Sequence, residues 1–397
     1  MCDGGGAGLA TGVAGEGGVS GSTVGGRLSP EEFALVMATG IVSIAAVDQQ
    51  YRVLAGILGV LAAATFALLT VTVGTRVARA PAAFGRQLRD PDVALRSFTL
   101  VAACGVLATA LGPELTQGQM LTQGQMLLTW SLGVAAFIAW LGLVPAAITE
   151  MRSRPAGELR DHARGSWLLI SVGTQSLAVS AADLARGTAA HPLLLLALTW
   201  WMLGLLGYVV VTWLILWRAL AGPFGPEEVT PDSWILMGAL AIATLTGDRI
   251  LAARPAATGL DWLVTLARPQ VLILWIMASV WIPPLLCAQV WRVARHPASL
   301  RYEGVWWASV FPLGMYSCAT FGLAMELRVP ALRSVSLIFF WFGLTTWLII
   351  ALGLLHNQWG RRSSWGSCGT APRNLALPPP RGGPPPERRP GHRQRGR

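Results

Sequence analysis

The chain has 397 residues, 53% of them hydrophobic and 13% charged, with a formal net charge of +10 and a mean hydropathy of +0.53; a soluble domain carries about 25% charged residues. This composition fits a polytopic, all-α integral membrane protein. Every basic residue is arginine, which excludes a Schiff-base lysine and the Gly-Lys phosphate loop of a nucleotide-driven pump.

Residues 1–29 are glycine-rich and lack the basic start of a secretory signal, so a disordered tail is expected there. Ten apolar segments follow, at 31–47, 53–75, 97–111, 126–148, 166–183, 192–217, 233–251, 270–290, 305–325 and 332–355. Most of their linkers are short, which predicts ten transmembrane helices joined as five antiparallel hairpins. No alternating ten-residue pattern suggests a β-barrel. Residues 30–356 thus form one membrane domain. Residues 357–397, rich in proline, glycine and arginine, read as a solvated cytoplasmic tail rather than a nucleic-acid-binding segment. The polar repeat "LTQGQM" at 115–120 and 121–126 falls in a loop.

Placing both termini in the cytoplasm puts fourteen arginines of the membrane domain and its flanks inside and seven outside. That asymmetry predicts a multi-pass cell-membrane protein with cytoplasmic N- and C-termini. The five cysteines show no paired spacing, and the five histidines lie outside the apolar runs. No metal, cofactor or enzymatic centre is expected.

The segments alternate in character. Odd ones are rich in Ser, Thr and Gly: "ATGIVS", "SFTLVAACGVLAT", "SVGTQSLAVS", "MGALAIATLTG" and "SVFPLGMYSCAT". Even ones are greasier and hold most of the tryptophan, as in "LLLLALTWWMLGLLGYVVVTWLILW". The alternation predicts an inner ring of odd helices around a central pore and an outer ring facing lipid. The competing expectation is that the small polar residues serve helix packing alone. The best lining candidates are Thr39 and Ser43, spaced i,i+4 on one helical face, and Ser176 and Ser180, spaced likewise, followed by Thr244 and Gly247. Pro312 frees the carbonyl of Ala308, and Phe311 beside it is placed to plug a lumen as an apolar gate. Odd segments end in Asp48, Glu114, Asp183, Asp248 and Glu326. These are read either as paired interfacial charges or as an outer mouth of carboxylates that protonate with substrate, making the proton a coupling ion.

Five stretches carry a family resemblance: "PEEFALVMATGIVSIAA" (30–46), "WLLISVGTQSLAV" (167–179), "LTGDRIL" after "SWILMGALAIATL" (233–251), "VWIPPLL" (280–286) and "YEGVWWASVFPLGMYSCAT" (302–320). From about Pro30 to Leu355 the chain resembles the tellurite-resistance/C4-dicarboxylate transporter family of malate permeases and sulfite efflux pumps, with plant guard-cell slow anion channels as more distant relatives. The resemblance implies ten helices in five hairpins around a pore, a homotrimer in the lipid bilayer, anionic substrates and Phe311 as the occluding side chain. A C4-dicarboxylate such as malate or succinate is the first expectation for substrate. A passive channel or exporter for sulfite, tellurite oxyanion, chloride or nitrate is the alternative. The sequence departs from the family pattern at Asp248-Arg249, where small uncharged residues are expected, and at "VWIPP", where Trp-Trp-Ile-Pro is more usual.

Overall fold

In the computed structural model, which describes residues 32–111, 123–188, 190–222, 225, 228–253, 261–297 and 302–367, helix dominates and no strand occurs among the described residues. Ten long helices coincide with the ten apolar segments. They are α1 (Glu32–Asp48) with α2 (Arg52–Arg79), α5 (Phe98–Ala110) with α6 (Gln123–Ser153), α8 (Leu169–Thr188) with α9 (His191–Ala221), α10 (Ile235–Ala252) with α11 (Asp261–Arg295), and α12 (Trp307–Leu327) with α13 (Pro330–Ser367). Three short helices complete the set: α3 (Pro81–Gln87), α4 (Pro91–Arg96) and α7 (Ala156–His162). The Asp90 side chain caps α4 by accepting from the Asp92 amide at 3.0 Å, with Pro91 at the first helical position.

Nine helical stretches among the described residues are long and apolar enough to cross a membrane. Helix α1 has 17 residues, or about 25 Å, just under the ~30 Å of a hydrocarbon core. Several even helices outrun their apolar segments. Helix α6 starts at Gln123, so the second "LTQGQM" copy enters the helix instead of lying wholly in a loop; the first copy lies outside the described residues. The described residues divide into two units, with the boundary after Ala351.

Within the first unit the odd helices contact one another in a closed cycle: α1 with α5, α5 with α8, α8 with α10, α10 with α12, and α12 with α1. Glycines let these seams close tightly. A Cβ added at Gly40, Gly105, Gly238 or Gly314 would stand 2.6–2.9 Å from Val106, Ser176, Pro312 or Ile41 on the neighbouring helix. At the α8–α10 seam, a Cβ on Gly165 would run into the backbone of Asp232.

Each outer helix covers its own partner and the next inner helix. Helix α2 touches α1 and α5, α6 touches α5 and α8, α9 touches α8 and α10, and α11 touches α10 and α12. Helix α13 reaches α12 through Ser336, which exchanges hydrogen bonds with Ser317 at 2.8 Å, and reaches α1 through Trp347. Four outer helices repeat one device, an indole N–H donated to the next inner helix. Trp140 donates to Thr174 Oγ1 (2.9 Å), Trp201 to Ala243 O (2.8 Å), Trp275 to Thr320 Oγ1 (3.0 Å) and Trp347 to Thr39 Oγ1 (3.0 Å). Outward from these bonds the outer helices expose large apolar side chains, among them Ile57, Leu68, Ile138, Leu206, Trp213, Val280 and Ile349. Apolar surface on that scale needs lipid around it.

Candidate functional site

The inner helices begin alike. Three start from a 3₁₀ turn that carries a tryptophan: Gly165–Leu168 before α8, Pro231–Trp234 before α10 and Gly304–Trp306 before α12. The starts of all five inner helices converge on one cavity of about 520 Å³, its open mouth included. Helix α1 contributes Met37, the α4–α5 junction Arg96 and Thr99, the start of α8 Ser166 and Leu169, the start of α10 Asp232 and Ile235, and α12 Trp307 and Phe311.

Two opposite charges are built into this cavity. Arg96 brings a guanidinium. Asp232, 3% exposed, accepts from the Ser166 amide at 2.8 Å and from the Thr230 hydroxyl, so its carboxylate caps the turn that opens α8. The Ser166 hydroxyl, buried in the same lining, has no hydrogen-bond partner. A helix start leaves unpaired N–H groups and the positive end of the helix dipole. Asp232 offsets Arg96 and occupies one of these starts; the remaining helix starts leave the backbone field positive, which suits an anion. Phe311, 3% exposed, supplies an apolar wall, and the ring of Pro312 next to it lies against Gly238 of α10.

Helical periodicity extends this lining along the ring. At about 100° per residue, positions 7, 11 or 14 apart share a face within about 40°. Asp48 stands 11 residues after Met37, Asp183 14 after Leu169, Arg249 14 after Ile235 and Cys318 7 after Phe311. Asp48, Asp183 and Arg249 meet near the C-terminal ends of their helices, and Cys318 joins them from the middle of α12. Arg249 Nη1 lies 3.3 Å from Asp183 Oδ1, within range of the Asp48 and Asp248 charges, and Asp48 hydrogen-bonds Cys318. One face of each of these four helices therefore runs from the cavity to this charge cluster.

The lining candidates divide on this frame. By periodicity Ser176 and Ser180 fall on the shared face, 7 and 11 residues after Leu169, at its edge toward α5, where Ser176 packs on Gly105. Ser176 donates to Gly173 O (2.8 Å) and Ser180 to Ser176 O (3.1 Å). Thr39 and Ser43 share a face, as their spacing requires, but it is the opposite one. Thr39 accepts from Trp347, and Ser43 donates to Ala55 O of α2 at 2.7 Å. Outer helices claim both hydroxyls, in contrast to the lumen-lining position expected of them. Thr244 lies half a turn from Ile235 and donates to Leu240 O (2.8 Å). Gly247 is turned to Trp201 and Val271 of the outer ring. Sequence reasoning missed Thr246, 11 residues after Ile235, and the Arg96–Ser166–Asp232 group. The register of Ile235 and Arg249, 14 apart, points to Thr246.

Among the acids of the outer mouth, Asp48, Asp183 and Asp248 gather near Arg249. Glu326 is bound by Arg268 of α11 at 2.6 Å. Glu114 lies outside the described residues.

A membrane protein of stacked helical hairpins, with helix starts gathered on one cavity, is the class that fold and site define. The chain belongs to the voltage-dependent anion channel family (SLAC1), whose profile matches residues 27–355, and this confirms the resemblance drawn from the five motifs. Two uncharacterized membrane proteins of Mycobacterium tuberculosis strains, Rv1735c and MT1776, are each 36% identical over 152 residues, which cover 38% of this chain and 76% of theirs.

Proposed function

We propose that all ten long helices cross the bilayer and that the shared face of the inner five is a path for small anions. One observation carries this reading: five helix starts and Arg96 converge on a cavity walled by Phe311. The cavity offers positive potential from backbone and guanidinium, and the phenyl ring beyond it dewets and closes the path. The arginine distribution puts this cavity on the cytoplasmic side. The homotrimer, the cell-membrane location and the proton as coupling ion belong to the same reading.

For the substrate, the motif resemblance favours a C4-dicarboxylate. The spacing of charge favours the second reading, a small inorganic anion. Arg96 and Arg249 sit at opposite ends of the shared face, and the 14 residues between Ile235 and Arg249 span about 21 Å. That separation exceeds the length of a four-carbon diacid, so one arginine meets the anion at a time.

Proteoliposomes holding the purified protein test both. Labelled succinate and malate, and separately chloride, nitrate and sulfite, are offered against empty vesicles. Uptake above the empty-vesicle level for any of them supports anion passage, and the ranking decides between the readings. Phe311→Ala is expected to raise flux severalfold at normal expression. No flux for any anion, with and without that substitution, overturns the reading.

A further inference from the structure

We propose that Arg249 is a second anion-binding residue, at the end of the path opposite the cavity, and that Asp183 is a built-in carboxylate that holds its place until a permeating anion displaces it. The proposal rests on the pathway reading above and adds the residue that selects the anion at the far mouth.

An arginine at this depth needs a partner, because an unpaired charge among apolar helices is costly. The partner it has is a poor one. Arg249 and Asp183 make a single contact of 3.3 Å, longer than the 2.7–2.9 Å of a strong charge-assisted bond. Arg268 and Glu326, by contrast, make two contacts, at 2.6 and 2.8 Å. The guanidinium carries five N–H donors, and this bond to Asp183 engages one of them. The Arg249 side chain keeps 20% of its surface exposed and that of Asp183 10%, so the pair is largely, but not wholly, enclosed by the inner helices.

The surroundings suit exchange of one anion for another. Asp48 reaches the cluster from α1, Asp183 and Arg186 from α8, Asp248 from α10, Cys318 and Glu326 from α12, and Arg268, bound to Glu326, from α11. Acids outnumber arginines there, so an anion passing without Arg249 would meet net repulsion. Arg249 supplies the attraction. The Asp183 carboxylate presents the same two-oxygen face as a substrate carboxylate or oxyanion, which makes it a competitor built into the chain. Position also supports the assignment: Arg249 lies 14 residues from Ile235 of the cavity lining and Asp183 14 from Leu169, so both stand on the face along which the anion travels.

The test is flux and half-saturation for chloride and succinate in proteoliposomes, with wild type, Asp183→Asn, Arg249→Gln, Arg249→Lys and the Asp183→Asn/Arg249→Gln double variant. Asp183→Asn is expected to lower the half-saturation concentration severalfold. Arg249→Gln should raise it about tenfold, the loss of one charge-assisted hydrogen bond, and Arg249→Lys should recover part of that. The double variant should match Arg249→Gln, because Asp183 acts only through the arginine. A merely structural ion pair gives another pattern: both single variants lose flux and thermal stability, and the double variant returns to wild type. That pattern, or an unchanged half-saturation in Arg249→Gln and Arg249→Lys, overturns the proposal while wild-type flux leaves the pathway reading standing. Absence of wild-type flux removes both.

Discussion

Helices α8 and α9 form one hairpin and invert the rule of soluble proteins. Helix α8 carries Ser171, Thr174, Gln175, Ser176, Ser180 and Asp183, yet nearly all of it is buried in the protein; α9, far greasier, is mostly exposed. In lipid the apolar surface needs no burial, whereas each polar group needs a partner. Polar side chains therefore choose the inside. The two helices join by the same logic. Ser171 donates to Gly204 O (2.7 Å) and Gln175 to Trp201 O (3.1 Å). Both are inner-helix donors that meet an outer-helix backbone carbonyl.

Substitutions on the two helices sharpen this contrast. The largest effect is expected for Trp201→Ala. Trp201 is 2% exposed, covers Gly247 and donates to Ala243 O, and its removal should cost about 3–5 kcal/mol, read as a fall in Tm in nanodiscs. Thr39→Val comes next. It removes the acceptor of the Trp347 bond, for a loss of about 1 kcal/mol, and leaves anion flux unchanged because Thr39 faces outward. Ser176→Ala, on the shared face, should reduce flux more than it reduces stability, since it removes the hydroxyl without adding volume against Gly105 of α5. The smallest effect belongs to Trp213→Ala. That side chain is 67% exposed on α9, and its loss should stay within about 0.5 kcal/mol. Equal effects for Trp201→Ala and Trp213→Ala would break the division into inner and outer faces.

Much of this architecture is legible in the sequence. The ten apolar runs mark the ten long helices, and the alternation of small polar and greasy segments marks which of them lie inside. Phe311 could be singled out because it precedes a proline within an apolar run. Facing was harder to read. Thr39 and Ser43 do share a face, but spacing cannot say which neighbour that face meets. A hydroxyl serves a seam between helices as readily as a lumen, and Trp347 and Ala55 take these two. The tryptophans of the greasy segments include Trp140, Trp201, Trp275 and Trp347, whose indoles point back to inner helices. The cavity escaped notice because its residues come from five separate starts. Gly165, Ser166 and Asp232 sit in two 3₁₀ turns too short to leave a periodic signal, and the contact between those turns is long-range.

The shared inner face is tested most directly by single cysteines at 44, 176 and 246, against controls at 39 and 43, in a Phe311→Ala background with the native cysteines replaced. The account predicts that an aqueous thiol reagent modifies the first three, that permeant anion slows the modification, and that 39 and 43 stay unmodified. Modification at 39 and 43 with none at 44, 176 and 246 would contradict it.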